Sequence, residues 1–192
     1  MHRNYWHTDK ISLRAFESGD VERAVANRNK IDSNLYWLYD AIKLPQTSER
    51  MRADYTEMIK EWEKDDKCLL AIENTEEEYV GDISVWQTKR PEMYFTYGIF
   101  IEEHHQKKGY ARDALKILLD YYFNEVGYNK VEASVYGYNA SSQSFHERFG
   151  FTLEGILRNH LYSRGRYHDT LVYGMLKDEF NSIYQHDSWR KK

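Results

Sequence analysis

The alternation of apolar and polar positions divides the chain into short, regularly ordered elements. Ile11 to Phe16 alternates with period two, which predicts a half-buried strand, and Ser18-Gly19-Asp20-Val21-Glu22 reads as a turn and N-cap opening a helix. A cap at Thr47 leads into Glu49 to Lys64, where Met51, Tyr55, Met58, Ile59 and Trp62 recur at helical spacing, so this helix is amphipathic. Strand-like runs follow at Cys68 to Glu73 and Tyr79 to Gln87, separated by the hairpin composition Asn74 to Glu78. A third run, Met93 to Ile101, is rich in aromatic and β-branched residues and adjoins the second across a turn at Arg90-Pro91. Gly109-Tyr110-Ala111 then opens a strongly periodic helix through Leu115, Leu118, Leu119, Tyr122 and Phe123, ended by Gly127. Lys130 to Tyr136 alternates as a strand, and Asn139 starts a short helix that stops at Gly150. Two last strands, Thr152 to Tyr162 and Tyr167 to Leu176, flank the hairpin turn Ser163 to Arg166. The order β-α-α-β-β-β-α-β-α-β-β predicts a mixed α/β (α+β) fold with antiparallel strands in the middle, and no repeat or linker interrupts it.

Length and composition narrow the classes. A chain of 192 residues is long enough for one continuous core and short for two, so one domain over 1–192 is expected, with its core at about 11–180 and a C-terminal tail at 181–192. A net charge of −4 supplies no basic excess to neutralise a phosphate backbone, which argues against nucleic acid as a partner. No apolar run approaches the ~20 residues of a membrane span and Met1 to Lys10 has no apolar stretch, so the expected location is the cytoplasm with no membrane partner. The single cysteine, Cys68, lies in an apolar run and reads as structural.

One segment carries chemistry. A strand ending at Ile101, the polar stretch Glu102 to Lys108 and a helix opening at Gly109 place consecutive backbone amides at a helix N-terminus, a natural site for phosphate. Gly109 lets a pyrophosphate approach the backbone, Ala111 keeps the next position small, and Lys107, Lys108 and Arg112 add positive field. By itself this turn reads equally well as a basic loop capping a core helix. Other phosphate cradles fit badly, because the chain has no GxxxxGK[ST] loop and no further glycines after Gly109 to complete a dinucleotide fingerprint. His104 and His105 are adjacent rather than one helical turn apart, and His146-Glu147 has no second histidine at position 150, so no metal is expected.

Gln106 through Ala111 matches the pattern [Gln/Arg]-x-x-Gly-x-[Gly/Ala], and in this the chain resembles the GNAT acetyltransferases. The resemblance runs from about Ile11 to Phe180 and includes Asn139-Ala140-Ser141-Ser142, Glu147 to Phe151, Glu154 to Arg158 and Gly165 to Asp169, which are similar to the branch holding ribosomal-protein N-terminal and spermidine acetyltransferases. It implies that the strand ending at Ile101 splays from Lys130 to Tyr136 and that the pantetheine arm of acetyl-CoA inserts between them. Ile99, Phe100 and Ile101 would then pair with the arm, and the pyrophosphate would take amides from Gln106, Lys107, Lys108, Gly109, Tyr110, Ala111 and Arg112. Asn139 and Ser142 match polar positions flanking the coenzyme. The implied reaction is direct attack of an amine on the thioester, without an acyl-enzyme.

The chain departs from the family at two places. His146 stands where several members carry a proton-donating tyrosine; a general acid and a packed helix histidine are both open readings. Thr96 stands where relatives often carry a glutamate base, and it cannot act as one. An alkyl-ammonium of pKa ~10.4 is neutral only about one time in 2,500 at pH 7, so help is needed, but Glu92, Asp82 and Glu154 all read more simply as structural or solvent-facing, leaving the base unnamed. Trp86, Tyr94, Tyr97, Tyr136 and Tyr138 read as core before pocket. The acidic runs Glu61 to Asp66, Glu76 to Glu78 and Glu102-Glu103 read as solvated faces before polyamine attractors, and His168-Asp169 as a turn-stabilising pair. The acceptor stays open among protein N-termini, polyamines and other small amines. The resemblance also admits a homodimer through the C-terminal strands, and the two departures admit an acyl-CoA-binding sensor impaired in catalysis.

Overall fold

The computed structural model describes residues 5–28, 46–61, 66–89 and 91–184. Its elements are β1 (Ile11–Ala15), α1 (Ser18–Arg28), α2 (Ser48–Glu61), β2 (Cys68–Asn74), β3 (Tyr79–Lys89), β4 (Tyr94–Ile101), a short 3-10 turn (Glu103–His105), α3 (Tyr110–Asp120), β5 (Lys130–Tyr136), α4 (Ala140–Phe149), β6 (Thr152–Ser163), β7 (Arg166–Leu176) and α5 (Lys177–Tyr184). The described strands form one sheet in the order β1-β2-β3-β4-β5-β7-β6, antiparallel at every step except between β4 and β5. The predicted mixed fold with a mostly antiparallel sheet is therefore the observed one. The predicted helix residues Trp62 to Lys64, the turn residue Arg90 and the tail residues 185–192 lie outside the described residues.

Period-two alternation sorts the side chains onto two faces. Phe95 and Tyr97 of β4, Val131, Ala133 and Val135 of β5, and Tyr173 and Met175 of β7 pack with Leu115 and Leu118 of α3, Phe149 of α4 and Phe180 of α5 in one buried cluster. On the opposite face Phe16, Val21 and Val25 pack with Met51 and Tyr55 of α2 and Ala71 and Tyr79, so α1 and α2 cover the β1–β3 side. Arg14 fastens this layer, bonding Asp20 at 2.7 Å and Glu73 at 2.6 Å while Asp20 accepts the Glu17 amide at 2.8 Å.

Two local features differ from the pattern read in the sequence, and a third, the last hairpin, takes the place expected of it. The helix opening at Tyr110 changes to a π-helical stretch over Tyr121–Val126 before Gly127 ends it at φ 92°. The wider turn keeps both Tyr122 and Phe123 buried, the former stacked on Phe95, after a run from Ile117 to Asp120 that is already buried on every side. Residues 181–184, expected to belong to the tail, complete α5, where Tyr184 is 2% exposed and donates a hydrogen bond to the Phe149 carbonyl at 2.7 Å. The last hairpin closes with two residues, Arg164 (φ 53°) and Gly165 (φ 77°), the two positive angles of a type I′ turn.

Candidate active site

β4 and β5 pair only at Tyr94–Lys130, Phe95–Val131 and Thr96–Glu132. Beyond Thr96 the strands part. Ile99, Phe100 and Ile101 keep their partners Ile83, Asp82 and Gly81 on β3, while their other edge has no strand partner. The sheet thus opens into a wedge-shaped cleft with its apex at Thr96 and Glu132 and its mouth at Ile101.

At the mouth the chain turns into α3. Lys107 (φ 62°) and Gly109 (φ 91°) adopt left-handed backbone, and the Asp113 amide closes the first helical hydrogen bond on the Gly109 carbonyl at 3.1 Å. Tyr110, Ala111 and Arg112 therefore occupy the first helical turn, where backbone amides lack intrahelical acceptors and carry the positive end of the helix dipole. Gln106 is a brace instead. Its amide bonds Glu103 at 3.3 Å inside the preceding turn, and its side chain donates to the Ile101 carbonyl at 3.1 Å, tying the turn to the end of β4. Arg112 leans away from the cradle, over the rings of Phe149 and Tyr184 at 5.8 and 5.6 Å.

Sequence reasoning missed another cation. Lys10 Nζ lies 3.1 Å from the point a side chain at Gly109 would occupy. The segment before β1 delivers it by running along α3, where the Tyr5 hydroxyl bonds Asp120 at 2.7 Å and the Thr8 hydroxyl bonds Asp113 at 3.2 Å. Only the tertiary path shows this, because Lys10 is 99 residues from Gly109 in the chain.

α4 borders the cleft from β5. Asn139 caps it, its side-chain oxygen accepting the Ser142 amide at 3.0 Å, so that oxygen serves the helix end. His146, one turn on, is 5% exposed and packed among Tyr97, Phe145, Phe151 and Tyr173. Its Nδ1 is 2.7 Å from the Ser142 carbonyl, which only accepts, so Nδ1 carries the proton and Nε2 accepts the Tyr97 hydroxyl at 2.8 Å. Burial above all, against the opposing carbonyl bond, lowers its pKa to about 4. The ring is neutral at pH 7 and its one N–H is already given to the backbone. In this arrangement Nδ1 is a donor to the backbone and Nε2 an acceptor toward Tyr97. Tyr97 is the first β4 residue past the last β4–β5 pair, so the Tyr97–His146 bond ties β4 to α4 just beyond the apex.

The remaining candidates separate. Asp82 accepts the Tyr79 hydroxyl at 2.8 Å, and Glu154 pairs with Lys130 at 2.7 Å. Glu92 is exposed, and Trp86 is 48% exposed rather than core. Tyr136 stacks on Tyr138, which meets His168 edge-on; His168 Nε2 donates to the Ser163 carbonyl at 3.1 Å, and Asp169 accepts the Asn159 amide at 2.8 Å, the turn-stabilising pattern. Burial raises the Cys68 thiol pKa, leaving it a poor nucleophile. Among the described residues no group of three or more His, Cys, Asp or Glu is placed to hold a metal ion, and no helix is long and apolar enough to cross a membrane.

Comparison with known proteins gives this cleft a family. The chain is 30% identical to the SPbeta prophage-derived uncharacterized N-acetyltransferase YokL of Bacillus subtilis, over 92% of this chain and 95% of the relative. It is 23% identical to the spermidine N(1)-acetyltransferase of Vibrio cholerae, over 89% of this chain and 95% of that protein. The crystal structure of spermidine N-acetyltransferase from Vibrio cholerae in complex with CoA and spermine superposes with a TM-score of 0.76 at 23% identity, covering 90% of this chain and 99% of that one. Residues 10–152 match the acetyltransferase (GNAT) domain, and the chain belongs to the GNAT family of acetyl-CoA-dependent N-acetyltransferases.

Proposed function

We propose that this protein, as a single acetyltransferase domain, transfers an acetyl group from acetyl-CoA to a primary amine by direct attack. The observation that carries the reading is the cleft between β4 and β5, whose mouth ends on the left-handed turn at Gly109. These residues fit the coenzyme: an unpaired strand edge over Ile99, Phe100 and Ile101 for an amide-bearing arm, and first-turn amides with Lys10, Lys107 and Lys108 for a pyrophosphate. Bound acetyl-CoA supplies a thioester whose thiolate, of conjugate pKa ~8.5, departs without strong acid help. Gln106 holds the cradle against β4, Asn139 holds the start of α4, and the neutral His146 holds the Tyr97 hydroxyl.

The test is thiol release from acetyl-CoA across polyamines, amino acids, aminoglycosides and peptides with free N-termini, with acetyl-CoA binding followed separately by thermal shift. Turnover with one class identifies the acceptor. Binding without turnover on any class leaves an acyl-CoA sensor or an enzyme whose acceptor is a specific folded protein, and no binding removes the reading altogether. As to assembly, we propose a homodimer through β6, an edge strand that exposes Leu153, Ile156 and Leu157 at 45%, 53% and 44%. Sedimentation as a monomer at micromolar concentration overturns that part alone.

A further inference from the structure

Glu132 stands at the apex of the cleft. It is paired with Thr96 in the last β4–β5 step before the strands part, and with Gly174 of β7 on its other side. Its neighbours Val131 and Ala133 are buried against α3 and α4, so Glu132 projects from the opposite face together with Thr96 and Gly174. Among the described residues α1 and α2 cover that face on the β1–β3 side, and Ser134, the next β5 residue on it, is exposed.

This place already holds an alkyl-ammonium. Lys130 Nζ lies 3.0 Å from the Glu132 carboxylate and 2.7 Å from that of Glu154. The Glu154 carboxylate rests against Gly174, in space that any side chain there would fill. Two carboxylates around one ammonium leave one negative charge unbalanced among the described residues. The Thr96 hydroxyl oxygen, in the same cross-strand row, is buried and has no hydrogen-bond partner among the described residues. Among the described residues, charge and hydrogen-bonding capacity are thus unspent at the point where the cleft closes.

We propose that Glu132 is a specificity-determining carboxylate of the acceptor site, receiving the protonated end of a primary alkylamine at the apex. The assignment rests on the acetyl-transfer reading above. Glu132 holds and orients the ammonium, which must lose one proton to water before the freed lone pair attacks the thioester carbonyl and the thiolate leaves; Glu132 is thus assigned a positioning role and not that of the base. Lys130 is its internal competitor: a bound amine shares or displaces the contact that Lys130 makes.

That competition gives the test, because the two partners of one ion pair should act in opposite directions. The probe is n-butylamine, a minimal primary alkylamine, in a steady-state thiol-release assay, with acetyl-CoA affinity measured separately by calorimetry. Glu132→Gln should raise the butylamine KM by about tenfold or more and leave acetyl-CoA affinity within about twofold. Lys130→Met should lower that KM or leave it unchanged. If the ion pair is only structural, both variants raise KM alike, and the proposal is overturned. Should Glu132→Gln not fold, the sign of the Lys130→Met effect decides. A wild-type protein that binds acetyl-CoA but shows no butylamine-dependent release also overturns the alkyl-ammonium site, whereas one that does not bind acetyl-CoA fails the earlier reading instead.

Discussion

Replacing His146 with leucine should remove a specific part of the protein's acid sensitivity. The folded ring is held neutral with a pKa of about 4, whereas an unfolded histidine titrates near 6.5. Between these values the unfolded chain binds a proton that the folded chain refuses, so stability falls as pH drops from about 6.5 toward 4. The gap of about 2.5 units corresponds to roughly 3 kcal/mol in full, and to about 2 kcal/mol between pH 7 and pH 5. For a chain of this size that is about 4–8 °C in midpoint temperature. His146→Leu removes the titrating group but strands the buried Tyr97 hydroxyl, at a cost of about 1–3 kcal/mol at pH 7. The variant should therefore be less stable than wild type at pH 7, and the difference should shrink by about 2 kcal/mol at pH 5. Adding Tyr97→Phe should recover most of the pH 7 loss, because both polar partners are then gone. Urea denaturation at the two pH values measures each quantity. Parallel pH dependence in wild type and His146→Leu would refute the neutral, backbone-bonded histidine.

Other outcomes follow from the cradle and the C-terminal packing. Gly109→Glu should abolish acetyl-CoA binding in calorimetry while far-UV circular dichroism stays native, since it puts a bulky anion at a left-handed position beside Lys10. Lys10→Gln should weaken acetyl-CoA binding several-fold at low salt, with the difference narrowing as ionic strength rises; an unchanged dissociation constant would remove Lys10 from the cradle. Tyr184→Phe leaves the buried Phe149 carbonyl without its donor and should cost about 1–3 kcal/mol in chemical denaturation; a smaller loss would mean that α5 contributes by apolar packing alone.

Much of the fold is legible in local pattern because a strand or helix must turn one apolar face to the core. Ile11 to Phe16, Lys130 to Tyr136 and the helix from Tyr110 therefore declare themselves. The Gly109 turn declares itself too, since few residue types other than glycine tolerate its backbone angle. Two things escape such reading. One is any contact between residues distant in sequence: Lys10 reaches Gly109, and Glu132 meets Thr96, only because the sheet order and the path along α3 bring them together. The other is protonation. The sequence alone leaves His146 equally an acid or a packing residue, and it shows neither the burial that lowers its pKa nor the Ser142 carbonyl that fixes its proton on Nδ1. Periodicity determined which elements form and which side of each is buried, whereas the tertiary structure decided which charges meet at the cleft, because electrostatic partners are set by distance in space and not by position along the chain.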